Sequence, residues 1–404
     1  MDHAATAPLH PEVLKVMLPF LKDEFGNPSN LYESGRSANR AVAEATNKIA
    51  KILGCKNEEF IFTGSATEAD NLAILGTAHA NKGKGNKIII SSIEHKGILA
   101  ACEALEKQGF EIVKLPVLKN GLVDLEVLKK ELDGRTILVS ITMTDSETGT
   151  IQPIKEISEI IRGFKLKTQS SRIPYFHTDA SQAAGYLNLD VKKLGVDLMT
   201  LSAHKIGGPK GIAGLFVKKG ISLEPLIYGG GQNKLRSGTE NVPGIIGFSK
   251  ALETISKNKT KENSRIKKLR DTLEKGILKS IPKTILNGHP ISRLPNFLNI
   301  SILDVEGEAM LLYLDKLGIM VGTGSACNSQ NLEPSYILSA MGRSYEHIHG
   351  SIRFSLGKNN TMRDVQYVLK NLPRVVKKLR QISSIDLSLN RKKWQNKIKK
   401  INRM

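Results

Sequence analysis

The sequence predicts an α/β protein: a mostly parallel sheet covered on both faces, followed by a smaller α+β unit. Three observations carry this. First, between residues 59 and 217 short apolar, β-rich runs alternate with helical patterns. The runs are 59–62, 87–91, 111–115, 136–142, 174–178, 197–202 and 213–217, and amphipathic stretches such as 68–81 and 154–164 lie between them. Nearly continuous apolar runs fit strands buried on both faces, and helical connections fit parallel neighbours. Second, the character changes after about residue 256: 257–279 is charged and helix-like, 295–303 strand-like and 306–317 helix-like. Third, 404 residues exceed one simple core and suggest about two domains. The predicted division is 1–14, a segment joining the smaller domain; 15–255, the large domain; 256–383, the smaller domain; and 384–404, a polar basic tail.

Bulk properties exclude several classes. No stretch approaches the roughly 18 unbroken apolar residues of a membrane span. The opening MDHAATAPLHPE lacks the basic start and apolar run of a secretory signal. Cys55, Cys102 and Cys327 match neither zinc nor disulfide spacing, which favours a reducing, intracellular setting, with a cytoplasmic location expected and an organelle matrix as the alternative. Cys55 and Cys102 lie in apolar helical patterns, as inert core thiols do. The net charge of +20 invites a nucleic-acid reading. The basic residues are dispersed and densest near the end, at Arg391-Lys392-Lys393 and 397–400, without an aromatic-rich RNA signature. A solvated surface with a basic tail is therefore preferred over direct nucleic-acid binding.

Ligands in such sheets sit beyond the carboxyl ends of the strands, and the informative polar residues follow the strands here. In TGSATEADN, residues 63–66 connect a strand to an amphipathic helix, so backbone N–H groups and the Thr67 hydroxyl can cradle a phosphate; alone, the segment reads as an ordinary capped helix. In EHKG, His95 can stack on a planar group and assist proton transfer, although a lone histidine is more often structural. In HTDASQ, Asp179 can keep a pyridine nitrogen protonated, as pyridoxal-phosphate chemistry needs, and Gln182 can touch a ring hydroxyl; the competing reading is an N-capping Asp. In LSAHKIGGPKG, Lys205 sits past a strand in a glycine-rich turn, where desolvation and positive surroundings can make a nucleophilic amine; alone, the segment reads equally as a surface lysine in a turn. In VGTGSACNSQNLEPSY, Cys327 lies among small polar residues, an expected mobile, accessible loop. In HGSIRFSLG, Arg353 offers a bidentate fork for a carboxylate, or a structural ion pair.

Together and in this order these segments resemble the cysteine desulfurases, class V aminotransferase-like enzymes of fold-type I (the aspartate aminotransferase-like fold) that depend on pyridoxal 5′-phosphate (PLP). The resemblance runs from Asp2 to about Leu387. It rests on TGSATEADNLAI, HTDASQAAG, SAHKIGGPKG, RSGTENVPG, NFLNIS, VEGE, GSACNSQNLEPSY and SIRFSLG. It implies that 15–255 binds PLP and that 256–383 carries the cysteine loop. Lys205 matches the Schiff-base lysine, Asp179 the ring-nitrogen partner and Gln182 the ring-hydroxyl contact. Ala66, Thr67, Ser202 and His204 match the phosphate cradle, joined by Thr239 from a second subunit, which implies a homodimer. His95 resembles the stacking histidine, Arg353 the substrate-carboxylate arginine, and Asn27 a residue near the substrate. Cys327 matches the persulfide cysteine. The implied reaction converts L-cysteine to L-alanine and passes sulfur through Cys327 to an acceptor protein, for iron–sulfur assembly, tRNA thiolation or both.

The sequence also departs from the family pattern. Asp145 and Ser146 replace an Asn pair, and because serine is shorter the cofactor contact expected at position 146 is lost or bridged by water. Gly64 and Ser65 are exchanged, Ala7 replaces a Thr, and Tyr32 replaces a His. The glycine-rich stretch before Arg236 is one residue short, 165–172 reads as an insertion, and the tail lacks the usual scaffold-docking segment. Rival readings are a selenocysteine lyase or aminotransferase of the same fold, a PLP-binding scaffold protein, and a nucleic-acid binder with the tail touching tRNA.

Overall fold

The computed structural model describes residues 1–168, 173–230, 233–324 and 334–382. Seven strands form one sheet: β1 (Phe60–Thr63), β2 (Lys87–Ser91), β3 (Glu111–Leu115), β4 (Thr136–Ser140), β5 (Tyr175–Asp179), β6 (Leu198–Ser202) and β7 (Ala213–Val217). Their order is β1-β7-β6-β5-β4-β2-β3, and only β7 runs against its neighbours. The mostly parallel sheet is therefore the one the sequence predicts.

Alternate side chains enter opposite layers. Ile89, Phe176 and Met199 join one core, whereas Ile88, Ile90, Tyr175 and Leu198 join the other, beneath the helix Ala66–Ala80. Because both faces are apolar, the strands read as continuous runs rather than alternating ones. The exchange at positions 64 and 65 gains a physical reason here. Ser65 is the N-cap of the helix Ala66–Ala80, and its hydroxyl accepts from Glu68 N at 3.1 Å. Glu68 in turn accepts from Gly64 N at 2.8 Å, a reciprocal clasp. A glycine N-cap would lack the side-chain acceptor.

A helix of 39 residues, Val242–Ser280, links the two units. Its first part buries Ile245, Phe248 and Leu252 in the large core; its later part buries Ile266, Leu269, Leu273 and Ile277 in a second core. The sequence reading started this helix at 257. It starts at Val242, where Pro243 suits the first turn because that turn needs no N–H donor. The second core packs on a three-stranded antiparallel sheet of β8 (Thr284–Asn287), β9 (Phe297–Ile302) and β10 (Ser351–Ser355), ordered β10-β9-β8. The helix Met362–Ile382 covers it with Val365, Val368, Leu372 and Val376. The start of the chain pairs with β10: His3 N donates to Ser355 O at 3.1 Å and Ser355 N to Met1 O at 2.9 Å. Among the described residues, no helix is long and apolar enough to cross a membrane.

Candidate active site

Thr63, Ser91, Ser140, Asp179 and Ser202 end parallel strands at one edge of the sheet. Beyond that edge lies a cavity of about 620 Å³. Lys205, His95, Ala66, Thr67, Ser146, Asp179, Gln182, Ser202, His204 and Arg353 all line it. Asn27 and Thr239 do not. The Asn27 carboxamide accepts instead from Ser29 N at 3.0 Å, and Thr239 is exposed. Cys327 lies outside the described residues.

The strand ends position each group. Asp179 closes β5, and its Oδ1 accepts from Ser181 N at 2.8 Å. Lys205 sits in a tight turn after β6 that closes at Gly207, whose φ of +78° suits glycine. Its Nζ donates to Ala4 O at 2.5 Å and Ala5 O at 3.0 Å, while Gln182 Nε2 donates to Ala4 O at 3.1 Å. The first residues of the chain thus form one wall of the cavity, a role that motif reading missed because backbone carbonyls leave no trace in side-chain identity.

His95 is the N-cap of the helix Lys96–Glu106, and its Nδ1 accepts from Gly97 N at 3.1 Å. The neutral ring therefore carries its proton on Nε2. His204 Nδ1 lies 3.1 Å from Thr6 Oγ1; burial, then Lys205 and Lys210, push its pKa down to about 4, so it is neutral. Arg353 Nη2 donates to Asp2 Oδ1 at 2.7 Å and Nη1 to Ser146 O at 2.7 Å, leaving Nε buried without a partner. The Asp145–Ser146 departure is accommodated by the loop itself. Asp145 accepts from Glu147 N at 2.9 Å, Thr148 N at 2.6 Å, Thr148 Oγ1 at 2.5 Å and Thr150 N at 3.0 Å, and Ser146 presents its carbonyl to Arg353.

Three further acids surround the site, inside or beside the motifs, without having been assigned a role from sequence. Glu147 lines the cavity; burial raises its pKa to about 7, against Ser335 Oγ, which donates at 2.5 Å. Glu94 is fully buried, accepts from Ser91 Oγ at 2.5 Å and Thr142 N at 2.8 Å, and is raised by burial to about 8. Asp70 is fully buried in the helix Ala66–Ala80. For Asp70 the signal that could have singled it out is a polar residue on the buried face of an otherwise apolar helix; Glu94 and Glu147 lie in loops and carry no such signal. Burial raises the thiols of Cys55 and Cys102 to about 11 and about 12, as inert core thiols require. Among the described residues no cluster could hold a metal ion.

The donor set suits one kind of ligand. The 15-residue helix Ala66–Ala80 begins at the cavity, where its first N–H groups suit an anion, Asp179 faces the same space, and Lys205 and His95 bring an amine and a flat ring. These groups fit a planar, phosphate-bearing heterocyclic aldehyde.

Comparison with known proteins agrees with this chemistry. A family model described as aminotransferase class-V matches residues 1–368. The chain is similar to the cysteine desulfurase IscS of Methanosarcina thermophila, 49% identical over 386 residues that cover 95% of this chain and 93% of that one. It is 48% identical over 384 residues to the cysteine desulfurase IscS of Dictyoglomus turgidum, covering 95% of each. Among solved structures, a NifS-like protein superposes with a TM-score of 0.87 at 35% identity, covering 94% of this chain and 99% of the other.

Proposed function

Because the chain belongs to the class-V aminotransferase family and, within it, to the cysteine desulfurases, we propose that it draws sulfur from L-cysteine, leaves L-alanine and holds the sulfur as a persulfide on Cys327. The observation that carries this is the convergence of Lys205, Asp179, Gln182, His95, Arg353 and a helix N-terminus on one cavity. Pyridoxal 5′-phosphate, which the family implies, supplies when bound a ring that withdraws electrons from the substrate carbon. Lys205 would bond its aldehyde, Asp179 its ring nitrogen and Gln182 its hydroxyl. His95 would cover the ring, and Ala66, Thr67, Ser202 and His204 would hold the phosphate. Thr239, which does not line this cavity, would complete the phosphate contacts of a second copy in a homodimer. Asn27 belongs to a segment assigned near the substrate on resemblance alone.

Arg353 would bind the α-carboxylate through its unpartnered Nε and its remaining N–H groups. Once the substrate amine has taken its place on the aldehyde, Lys205 Nζ would take the α-proton, and His95 Nε2, which lines the same cavity, would pass a proton within it. The Cys327 thiolate attacks the substrate sulfur. An S–S bond forms as the substrate Cβ–S bond breaks and the electron pair stays with carbon; protonation of that Cβ, and return of the α-proton from Lys205, give alanine. The persulfide would pass to an acceptor protein in the cytoplasm, for iron–sulfur assembly or tRNA thiolation.

Alanine and sulfide are expected in equal amounts when the purified chain receives PLP, L-cysteine and a reductant. Cys327→Ser should lose sulfide release while still binding PLP; undiminished release from the variant would remove Cys327 as carrier. Substrate grip depends on a glycine as well. A Cβ at Gly322 would lie 2.5 Å from Arg353 Nη2, so Gly322→Ala should displace the guanidinium. A rise in KM for cysteine of about tenfold with a smaller change in kcat is expected from lost ground-state binding. An unchanged KM would separate Arg353 from the substrate carboxylate.

A further inference from the structure

The layer between the sheet and the helix Ala66–Ala80 is largely apolar and is crossed by one polar row. Ser140 on β4, His177 on β5 and Thr200 on β6 lie side by side there. His177 Nδ1 is 2.8 Å from Ser140 Oγ, and Nε2 is 3.1 Å from Thr200 Oγ1. Asp70 enters the row from the helix, its Oδ1 3.8 Å from His177 Nε2. All four residues are fully buried, and neither Asp70 oxygen has a hydrogen-bond partner. A buried carboxyl without partners is costly, and an apolar residue would pack the same layer without that cost.

His177 precedes Asp179 by two residues on β5, so both side chains share a face. The charge of Asp179 acts on Asp70, on His177 and on Glu94. Additional carboxylates ionised so close would raise the proton affinity of Asp179 and spoil its partnership with a protonated ring nitrogen. The structure avoids this by burial. Burial first, then Asp179, push the Asp70 carboxyl well above the usual range against a lowering contribution from the Thr200 hydroxyl. Burial also raises Glu94 and holds His177 down to about 4.

We propose that Asp70 is a positioning residue for Asp179: as a neutral acid it directs its single proton at the Thr200 hydroxyl, which itself faces His177 Nε2, leaves the imidazole proton on Nδ1 facing Ser140, and keeps the layer beneath Asp179 uncharged. This rests on Asp179 being the ring-nitrogen partner. The groups facing Asp70 are His177 and Asp179 on β5, Thr200 on β6 and Glu94 beyond β2.

Two readouts test it on the full chain. Carbon-13 NMR with γ-labelled aspartate, assigned through Asp70→Asn, should find Asp70 protonated at pH 7 both with and without PLP; an ionised carboxyl overturns the proposal. With PLP bound, Asp70→Leu should move the midpoint of the cofactor's absorbance titration by about one pH unit, tenfold in proton affinity. Asp70→Asn, neutral and able to donate, should restore it. Equal shifts in both variants, or none in either, overturn the proposal. Failure of the underlying reading looks different: the native chain would then show no bound-cofactor absorbance, whatever the state of Asp70.

Discussion

Lys205→Ala is expected to lower alanine formation from L-cysteine by about 10⁴-fold or more, even at saturating PLP. A positioned base contributes on the order of 10²–10⁴-fold, and loss of the covalent anchor adds to that. The change should cost little stability. The Lys205 amine donates to the backbone carbonyls of Ala4 and Ala5, and the turn that carries it is closed by backbone bonds and Gly207. The measurement is single-turnover alanine release beside an absorbance spectrum, which should show PLP bound without the band of its lysine-linked form. Release within about tenfold of native would mean that another base moves the α-proton.

Asp179→Asn is expected to reduce kcat by about 10²–10³-fold, the scale of one preorganised electrostatic contact at a reacting system. Asparagine retains an oxygen to accept from Ser181 N, which Asp179 Oδ1 does at 2.8 Å, so the turn after β5 survives. What disappears is the negative charge at the end of the strand. Steady-state kinetics with the cofactor's absorbance titration measure both effects. A variant with native kcat would show that the ring nitrogen needs no carboxylate, and would withdraw the role assigned to Asp179.

Much of the large unit was legible because its strands are buried on both faces. β2 and β7 fall on the predicted bounds, each buried along its whole length, and the partly exposed edge strand β3 matches as well. β5 extends one residue further than read, taking Asp179 into the strand, because the ladder with β6 continues from Asp179 to Thr200. β8 and β10 were not anticipated as strands: each is short, and each depends on β9 for its pairing. The early part of the long helix was overlooked because glycines interrupt its pattern, at Gly244 and Gly247, where the backbone approaches Asn241 and Met17 closely. In the site, the motif residues that follow strands share the cavity, because parallel strands end at one edge. Asn27 and Thr239 carry no such positional signal within one chain. The wall formed by Ala4 and Ala5, and the row of Ser140, His177, Thr200 and Asp70, are products of tertiary packing that local patterns do not encode.

The helix Val242–Ser280 constrains how this sequence can drift. Between Leu252 and Ile266 it buries no apolar side chain fully, although Lys259 and Asn263 reach the carbonyls of Leu187 and Tyr186. Many side chains could be exchanged along that span. A single inserted or deleted residue is another matter, since it rotates everything beyond it by about 100° and shifts it by about 1.5 Å. Ile266, Leu269, Leu273 and Ile277 would then face away from the second core. The middle of the helix is permissive in spelling but fixed in length, a gauge bar between two separately packed halves.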